Sequence, residues 1–138
     1  MTDTSATLDW LLQGLVDATN NSDMRLSVTL EANGLLVSGK LVSAKDYVAG
    51  VVTELNEVGA ANVAQLFKTI ADLAYSDEQI AARAQELPTF IHLKDARYFH
   101  QSGSALPANK PVFWRGRLTE ISGFFLGQLT VDSDDDDS

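Results

Sequence analysis

The chain has 138 residues, 45% of them hydrophobic, and it carries a formal net charge of -9 with no cysteine. That length suits a single domain with its own core, and the missing thiols exclude disulfides, thiolate metal sites and cysteine catalysis. Because 10 Lys and Arg are scattered among 19 Asp and Glu, the chain lacks the basic field that attracts duplex DNA or an anionic membrane, so we expect neither as its main partner.

The N-terminal segment predicts one short helix. Its first ten residues lack the basic and apolar runs of a signal peptide, and no later apolar run approaches the ~20 residues that span a bilayer. We therefore expect a cytoplasmic protein. Thr7 is a plausible N-cap, Asp9 suits the first turn, and the polar run at residues 20–23 ends the helix. Four leucines follow the i, i+3, i+4, i+7 spacing of one helix face: Leu8, Leu11, Leu12 and Leu15. We expect the helix to dock on the core through this face; the alternative is that the face binds a partner.

The next segment, "RLSVTLEANGLLVSGKLVS", predicts a β-hairpin. Apolar and polar residues alternate on both sides of Asn33-Gly34, the dipeptide that favours a two-residue type I′ turn. The register that follows places six residues on one face: Leu30 opposite Val37, Val28 opposite Gly39, and Leu26 opposite Leu41.

The middle of the chain predicts three helices. Ser43 and Asp46 form a capping-box-like S-x-x-D pair, and Gly59 is a natural stop. A second helix is expected from about Ala61 to Ala74. A third is expected over "DEQIAARAQEL", residues 77–87, capped by Ser76 with Gln79 and closed by Pro88. The outer faces are polar, so we expect this helical insertion to pack on the core through two apolar stripes: Tyr47, Val48, Val51, Val52 and Leu55 in the first helix, and Val63, Leu66, Phe67, Ile70 and Leu73 in the second.

After Pro88 the pattern alternates again and predicts three strands. "TFIHLKDARYF" reads as a strand bent near Asp95, while "PVFWRGRLTEI" and "FFLGQLTV" read as strands that meet at a Ser122-Gly123 turn. The fold class is therefore α+β: an N-terminal helix, a β-hairpin, a helical insertion and a C-terminal β-meander, with about five strands. By analogy of pattern alone, a strongly bent Sm-like or SH3-like sheet is an alternative form of this class.

The chain divides into one domain, residues 1–131, and an acidic tail, residues 132–138, that we expect to be disordered. Five of the negative charges lie in that tail, at Asp132 and at Asp134 to Asp137, so the body carries only -4 (-9 + 5 = -4). Adjacent like charges repel and bury nothing, which favours disorder.

No constellation of residues predicts an enzyme. The chain has no glycine-rich phosphate loop and no G-x-S-x-G nucleophile elbow. His92 and His100 are its only histidines, and eight residues of straight strand would separate them by ~26 Å, too far to share a metal. We expect no catalytic residue, no metal and no cofactor.

The best candidate for a binding site is the strand that contains "FWRGR". Alternation places Trp114 on the core face and Phe113, Arg115 and Arg117 on the opposite face. Arginine and aromatic residues are enriched at binding hot spots. In the alternative interpretation the strand is merely amphipathic: the arginine stems cover apolar surface, and Phe113 lies under a helix.

Three segments resemble the gas vesicle accessory protein GvpU family: "LSVTLEANGLLVSGKLVSAKDYV", "FIHLKDARYF" and "FWRGRLTEISGFFLGQL". Their order is also similar, and the resemblance covers most of residues 24–129. It implies a non-shell accessory protein that is concerned with how vesicles interact and cluster, and it supplies no catalytic residues. The tail "DSDDDDS" departs from the mixed, lysine-containing tails expected of the family.

We therefore expect a non-enzymatic protein that interacts with gas vesicles and influences their clustering or assembly. Its partners would be vesicle shell or other accessory proteins, with self-association as one way to bridge vesicles. The alternative is an Sm-like module that binds single-stranded RNA through stacking, although the basic groove that such a module needs is missing.

Overall fold

A computed structural model describes residues 8–74, 78, 86–100, 104–107 and 110–129. It confirms the α+β class and the expected order of elements, while the acidic tail and almost all of the expected third helix lie outside the described residues. The elements are α1 (Trp10–Asn20), β1 (Leu26–Ala32), β2 (Leu35–Val42), α2 (Ala44–Glu57), α3 (Ala61–Ala74), β3 (Phe90–Phe99), β4 (Ala105–Leu106), β5 (Val112–Arg117), a 3-10 turn (Leu118–Glu120) and β6 (Ile121–Leu126).

The β1–β2 hairpin has the register that the sequence predicts. Leu30 pairs with Val37, and the turn residues Asn33 and Gly34 have φ of 55° and 84°. On the opposite face of the hairpin, the hydroxyls of Thr29 and Ser38 lie 3.0 Å apart in a buried hydrogen bond. The turn chemistry and the apolar alternation therefore specify the same pairing.

The six antiparallel strands form one strongly bent sheet. Its order is β4-β3-β2-β1-β6, and β5 also pairs with β3. A turn of three residues, Leu118–Glu120, joins β5 to β6 although these strands lie at opposite edges. In a flat sheet those edges would be ~19 Å apart, whereas four residue steps reach at most ~14 Å, so the sheet must curl.

The turn expected at Ser122-Gly123 is wrong. Both residues lie inside β6, which pairs with β1 rather than with β5. Gly127, with φ of 120°, ends the strand instead. The β3–β5 ladder extends one step into the short link, where the amide of Leu118 donates to the carbonyl oxygen of Thr89, just before β3.

Strand β3 bends where the sequence predicts, at Asp95, which has φ of 54°. The pairing of β3 with β5 shifts register between Leu93 and Ala96. The first half of β3 therefore pairs with β5, and its end pairs with β4. The bend lets one strand serve two neighbours on the same side.

Helix α1 docks on the core, but with a different cap and face from those expected. Asp9 is the N-cap and accepts from the amides of Leu11 and Leu12, so the assignment of Thr7 is wrong. Leu11 is half-exposed, whereas Val16 is fully buried. The core is formed by α1, the inner face of the sheet and the turn after β5: Leu12, Val16, Val28, Leu30, Ala32, Val37, Leu41, Ile91, Leu93, Ala96, Leu118 and Ile121.

The helical insertion packs on the outer face of the sheet. Ser43 caps α2 by accepting from the amide of Asp46, as expected. Helix α2 contacts β3 and β5 on one side and α3 on the other. The apolar stripe expected to bury α3 is largely exposed, because α3 packs mainly against α2 and its buried residues are Ala64 and Ala71.

Candidate functional site

Strand β5 directs Trp114 toward the core, as alternation predicts. The indole Nε1 donates to the Tyr98 hydroxyl at 2.8 Å, and Trp114 lies directly opposite Leu93 in the neighbouring strand. A Cβ placed on Gly116 would lie 2.9 Å from Cζ2 of the indole, closer than carbon atoms normally approach. Glycine at this position therefore gives the indole room to lie along the strand.

Phe113 lies on the outer face of β5, but α2 covers part of it. A Cβ placed on Gly50 would be 2.6 Å from Cε1 of the phenyl ring, so the ring is seated directly against the helix backbone. The ring of Tyr47 meets it edge-on, with centroids 6.1 Å apart. The Phe113 side chain is half-buried, which agrees with the alternative interpretation that it lies under a helix. Its part in binding remains a prediction.

Arg115 is exposed but well positioned. Its guanidinium group lies 3.8 Å from the centroid of the Phe90 ring, and its Nε donates to Nε2 of His92 at 3.1 Å. His92 and Arg115 are direct partners in the β3–β5 register. A cation held over a ring and tied to a neighbouring strand loses less freedom when it binds a partner.

His92 is a buried, neutral histidine. It is 2% exposed, and burial together with the nearby Arg115 charge lowers its pKa to about 4. Since Nε2 accepts from Arg115, the single proton lies on Nδ1. Nδ1 has no hydrogen-bond partner in the part of the chain that the structure describes. The ring also lies 4.8 Å from that of Tyr47, centroid to centroid.

The sequence interpretation considered His92 only as a metal ligand and missed its role in positioning Arg115. One signal could have found it, because the alternation of β3 places His92 on the same outer face as Phe90. Among the described residues, no group of three His, Asp or Glu side chains could hold a metal ion.

Arg117 is exposed at the end of β5, opposite Phe90. Within the described ranges, neither Arg115 nor Arg117 has a carboxylate within ion-pair distance, whereas Arg25, Lys40 and Lys68 do. Two uncompensated guanidinium groups in a chain of net charge -9 are free to meet acidic or carbonyl groups of another molecule.

A cleft of about 550 Å³ opens beside Arg115 and is lined by groups of both signs, including Asp17, Lys45 and Glu86. His92 is poorly suited to act as a general base, because its Nε2 already accepts from Arg115 and its pKa lies far below 7. The arrangement therefore suits recognition better than proton transfer.

Comparison with known proteins shows that a family model described as gas vesicle protein GvpU-like matches the chain over residues 9–129. The match extends from the N-cap of α1 to just beyond β6, so it includes Phe113, Arg115 and Arg117 and excludes the acidic tail. No curated protein and no solved structure matches the chain. Within the described residues, no helix has the length and apolar character needed to cross a membrane.

Proposed function

The chain belongs to the GvpU-like family of gas vesicle proteins, and we propose that it is a non-enzymatic accessory protein that binds gas vesicles in the cytoplasm and influences their clustering or assembly. Its partners in this proposal are vesicle shell or other accessory proteins. Copies on separate vesicles would bridge them by self-association.

The observation that carries this proposal is the uncompensated pair of guanidinium groups on β5. Arg115 is fixed by Phe90 and His92, and Arg117 lies two residues away on the same face of the strand. A preorganised arginine can form directed hydrogen bonds to carboxylates or carbonyls at little entropic cost. We therefore assign the vesicle contact to Arg115 and Arg117, with Phe113 supporting them from beneath α2.

Flotation with purified vesicles tests the contact. The double variant Arg115→Ala, Arg117→Ala should raise the apparent dissociation constant for vesicles about thirtyfold, since two lost arginine anchors at ~1 kcal/mol each remove about 2 kcal/mol of binding. The control, Arg25→Ala with Lys40→Ala, removes the same charge from exposed residues elsewhere and should bind like the parent. Equal flotation of the double variant and the parent would refute the assigned surface.

Trp114→Ala separates folding from binding. It removes a half-buried ring and its hydrogen bond to Tyr98, so it should lower stability by about 2–4 kcal/mol. Its binding should fall only as far as the folded fraction falls. The double arginine variant should stay folded and lose about 1–2 kcal/mol of stability, because the buried Nε2 of His92 loses its donor.

The Sm-like, RNA-binding alternative has one observation in its favour. The exposed guanidinium group of Arg115 stacks on Phe90, and paired cations and aromatic rings suit the stacking of unpaired bases. The net charge of -9 opposes it, because single-stranded nucleic acid is normally held in a basic groove. Salt-sensitive binding of a labelled oligonucleotide, lost in the double arginine variant, would favour RNA.

A further inference from the structure

Helix α3 exposes four large aliphatic residues in one row, which we name the α3 stripe. Val63, Leu66, Ile70 and Leu73 are 52%, 60%, 59% and 73% exposed. Their spacing of three, four and three residues places them on one side of the helix. Clusters of exposed apolar side chains on a folded protein commonly mark an interaction surface.

The α3 stripe is distinct from the face that holds α3 to its own chain. That inner face uses the buried Ala64 and Ala71, with Phe67 near the Tyr47 ring at a centroid distance of 6.2 Å. At 100° per residue, the midpoint of the stripe is roughly a third of a turn from this inner face. Packing within the described fold therefore leaves the stripe uncovered.

The order of residues in the stripe indicates a second helix of the same kind as the occupant. Val63 and Ile70 are β-branched and fall at a positions of a heptad, while Leu66 and Leu73 fall at d positions. This is the combination that favours pairing of two helices in a coiled coil. A second copy of this chain supplies such a helix.

Charge favours the same occupant. Two copies that each carry -9 repel one another over most of their surfaces. The charged side chains of α3 are Lys68 and Asp72, which form an ion pair at 2.9 Å and leave the helix with no net charge. Two copies can therefore meet at α3 with little charge repulsion.

The area of the stripe predicts a weak contact. A fully exposed aliphatic side chain offers on the order of 100 Å² of apolar surface, so the stripe contributes roughly 250 Å² per copy and about 500 Å² per pair. Since apolar atoms form about 60% of an interface, the whole contact would bury about 800 Å². That is below the 1,200–2,000 Å² of stable complexes.

We propose that the α3 stripe is the surface through which two copies of this chain pair. Its biological consequence rests on the proposed function. A weak pair would hold few copies together in solution, whereas many copies on facing vesicles would bridge them through multivalency.

Sedimentation velocity of the purified chain, without vesicles, tests the pairing from micromolar to near-millimolar concentrations. The parent should form a concentration-dependent dimer, and Ile70→Asp should raise its dissociation constant at least about tenfold, because a carboxylate would be buried in the seam. Leu11→Asp, on the half-exposed part of α1, is the matched control and should pair like the parent. Circular dichroism checks that each variant folds.

Single cysteines add a direct readout, since the chain has none of its own. If the two α3 helices pair in parallel, the Leu66→Cys variant and the Ile70→Cys variant should each form a disulfide between two copies of the same variant. If the helices pair antiparallel, a mixture of the two variants should form a disulfide between residue 66 of one copy and residue 70 of the other. Either pattern, formed faster than by Leu11→Cys, supports the proposal. A monomer at every concentration, with no faster disulfide, overturns it.

The two tests fail independently. If the chain floats with vesicles but remains monomeric, the proposed vesicle contact stands and the proposed pairing surface is refuted. If the chain pairs in solution but does not float with vesicles, the proposed pairing surface stands and the proposed vesicle contact is refuted.

Discussion

Replacing Gly50 by Ala tests whether the Phe113 ring is seated under α2. Two effects on the free energy of unfolding oppose each other at this position: helix propensity and a steric clash. Within a helix, Ala is more favourable than Gly by about 1 kcal/mol. The new Cβ would, however, lie 2.6 and 2.7 Å from Cε1 and Cε2 of the Phe113 ring, against the ~3.5–4.0 Å of normal carbon contacts. The ring or the helix must therefore move by roughly 1 Å, and such overpacking typically costs about 1–3 kcal/mol.

The net expectation for Gly50→Ala is a destabilisation of about 1 kcal/mol. Urea denaturation followed by circular dichroism measures it on four proteins: the parent, Gly50→Ala, Phe113→Ala and the double variant. Without the Phe113 ring the clash disappears, so Gly50→Ala should stabilise the Phe113→Ala protein by about 1 kcal/mol. The change of sign gives a coupling energy of about 2 kcal/mol, which is within the range for residues in contact.

One result would refute this reasoning. If Gly50→Ala stabilises the parent by the same ~1 kcal/mol that propensity supplies, the ring is not seated against the helix. Phe113 would then be part of the exposed surface beside Arg115 and Arg117, and its substitution should weaken vesicle binding directly.

Three further predictions concern the turn, the buried histidine and the tail. Gly34→Val should lower stability by about 1 kcal/mol or more, because a β-branched residue resists the φ of 84° at this turn; an unchanged urea midpoint would contradict the register. The pKa of His92 falls from 6.5 to about 4 on folding, so the unfolded chain binds more protons between these values and stability should drop by up to about 3 kcal/mol as the pH falls through that interval. His92→Gln should remove that part of the pH dependence, and equal slopes for both proteins would argue against a neutral buried ring. Deleting residues 132–138 should leave the melting temperature within a few degrees, because adjacent like charges bury nothing; a large loss would mean that the tail docks on the body.

Features set by neighbouring residues could be predicted from the sequence. The Asn33-Gly34 turn needs two residues with positive φ, and the alternation on either side allows only one register that buries the apolar face. Ser43 and Gly59 likewise mark the start of α2 and the region where it stops. Each of these is an agreement between signals only a few residues apart.

Features set by distant residues could not be predicted in this way. The alternation in β5 and β6 identifies both as strands, but it does not say that the turn between them crosses from one edge of a curled sheet to the other. The contact between Arg115 and His92 depends on the register of two strands that are 23 residues apart in sequence. Sequence assigned Arg115 to an outer face and could not identify the partner that fixes it there.

Helix α3 illustrates the same limit and bears on how the protein could work. The helical periodicity of the sequence places Phe67 in one apolar face with the four residues of the α3 stripe. In the fold, Phe67 turns toward α2, whereas the four stripe residues are exposed. Helix α2 contacts both β5 and α3, so the arginine surface and the α3 stripe lie on different elements of the fold. A protein that bridges vesicles needs one surface for the vesicle and another for a second copy, since a surface used for one contact is blocked for the other. In our proposal, Arg115 and Arg117 on β5 supply the first surface and the α3 stripe supplies the second.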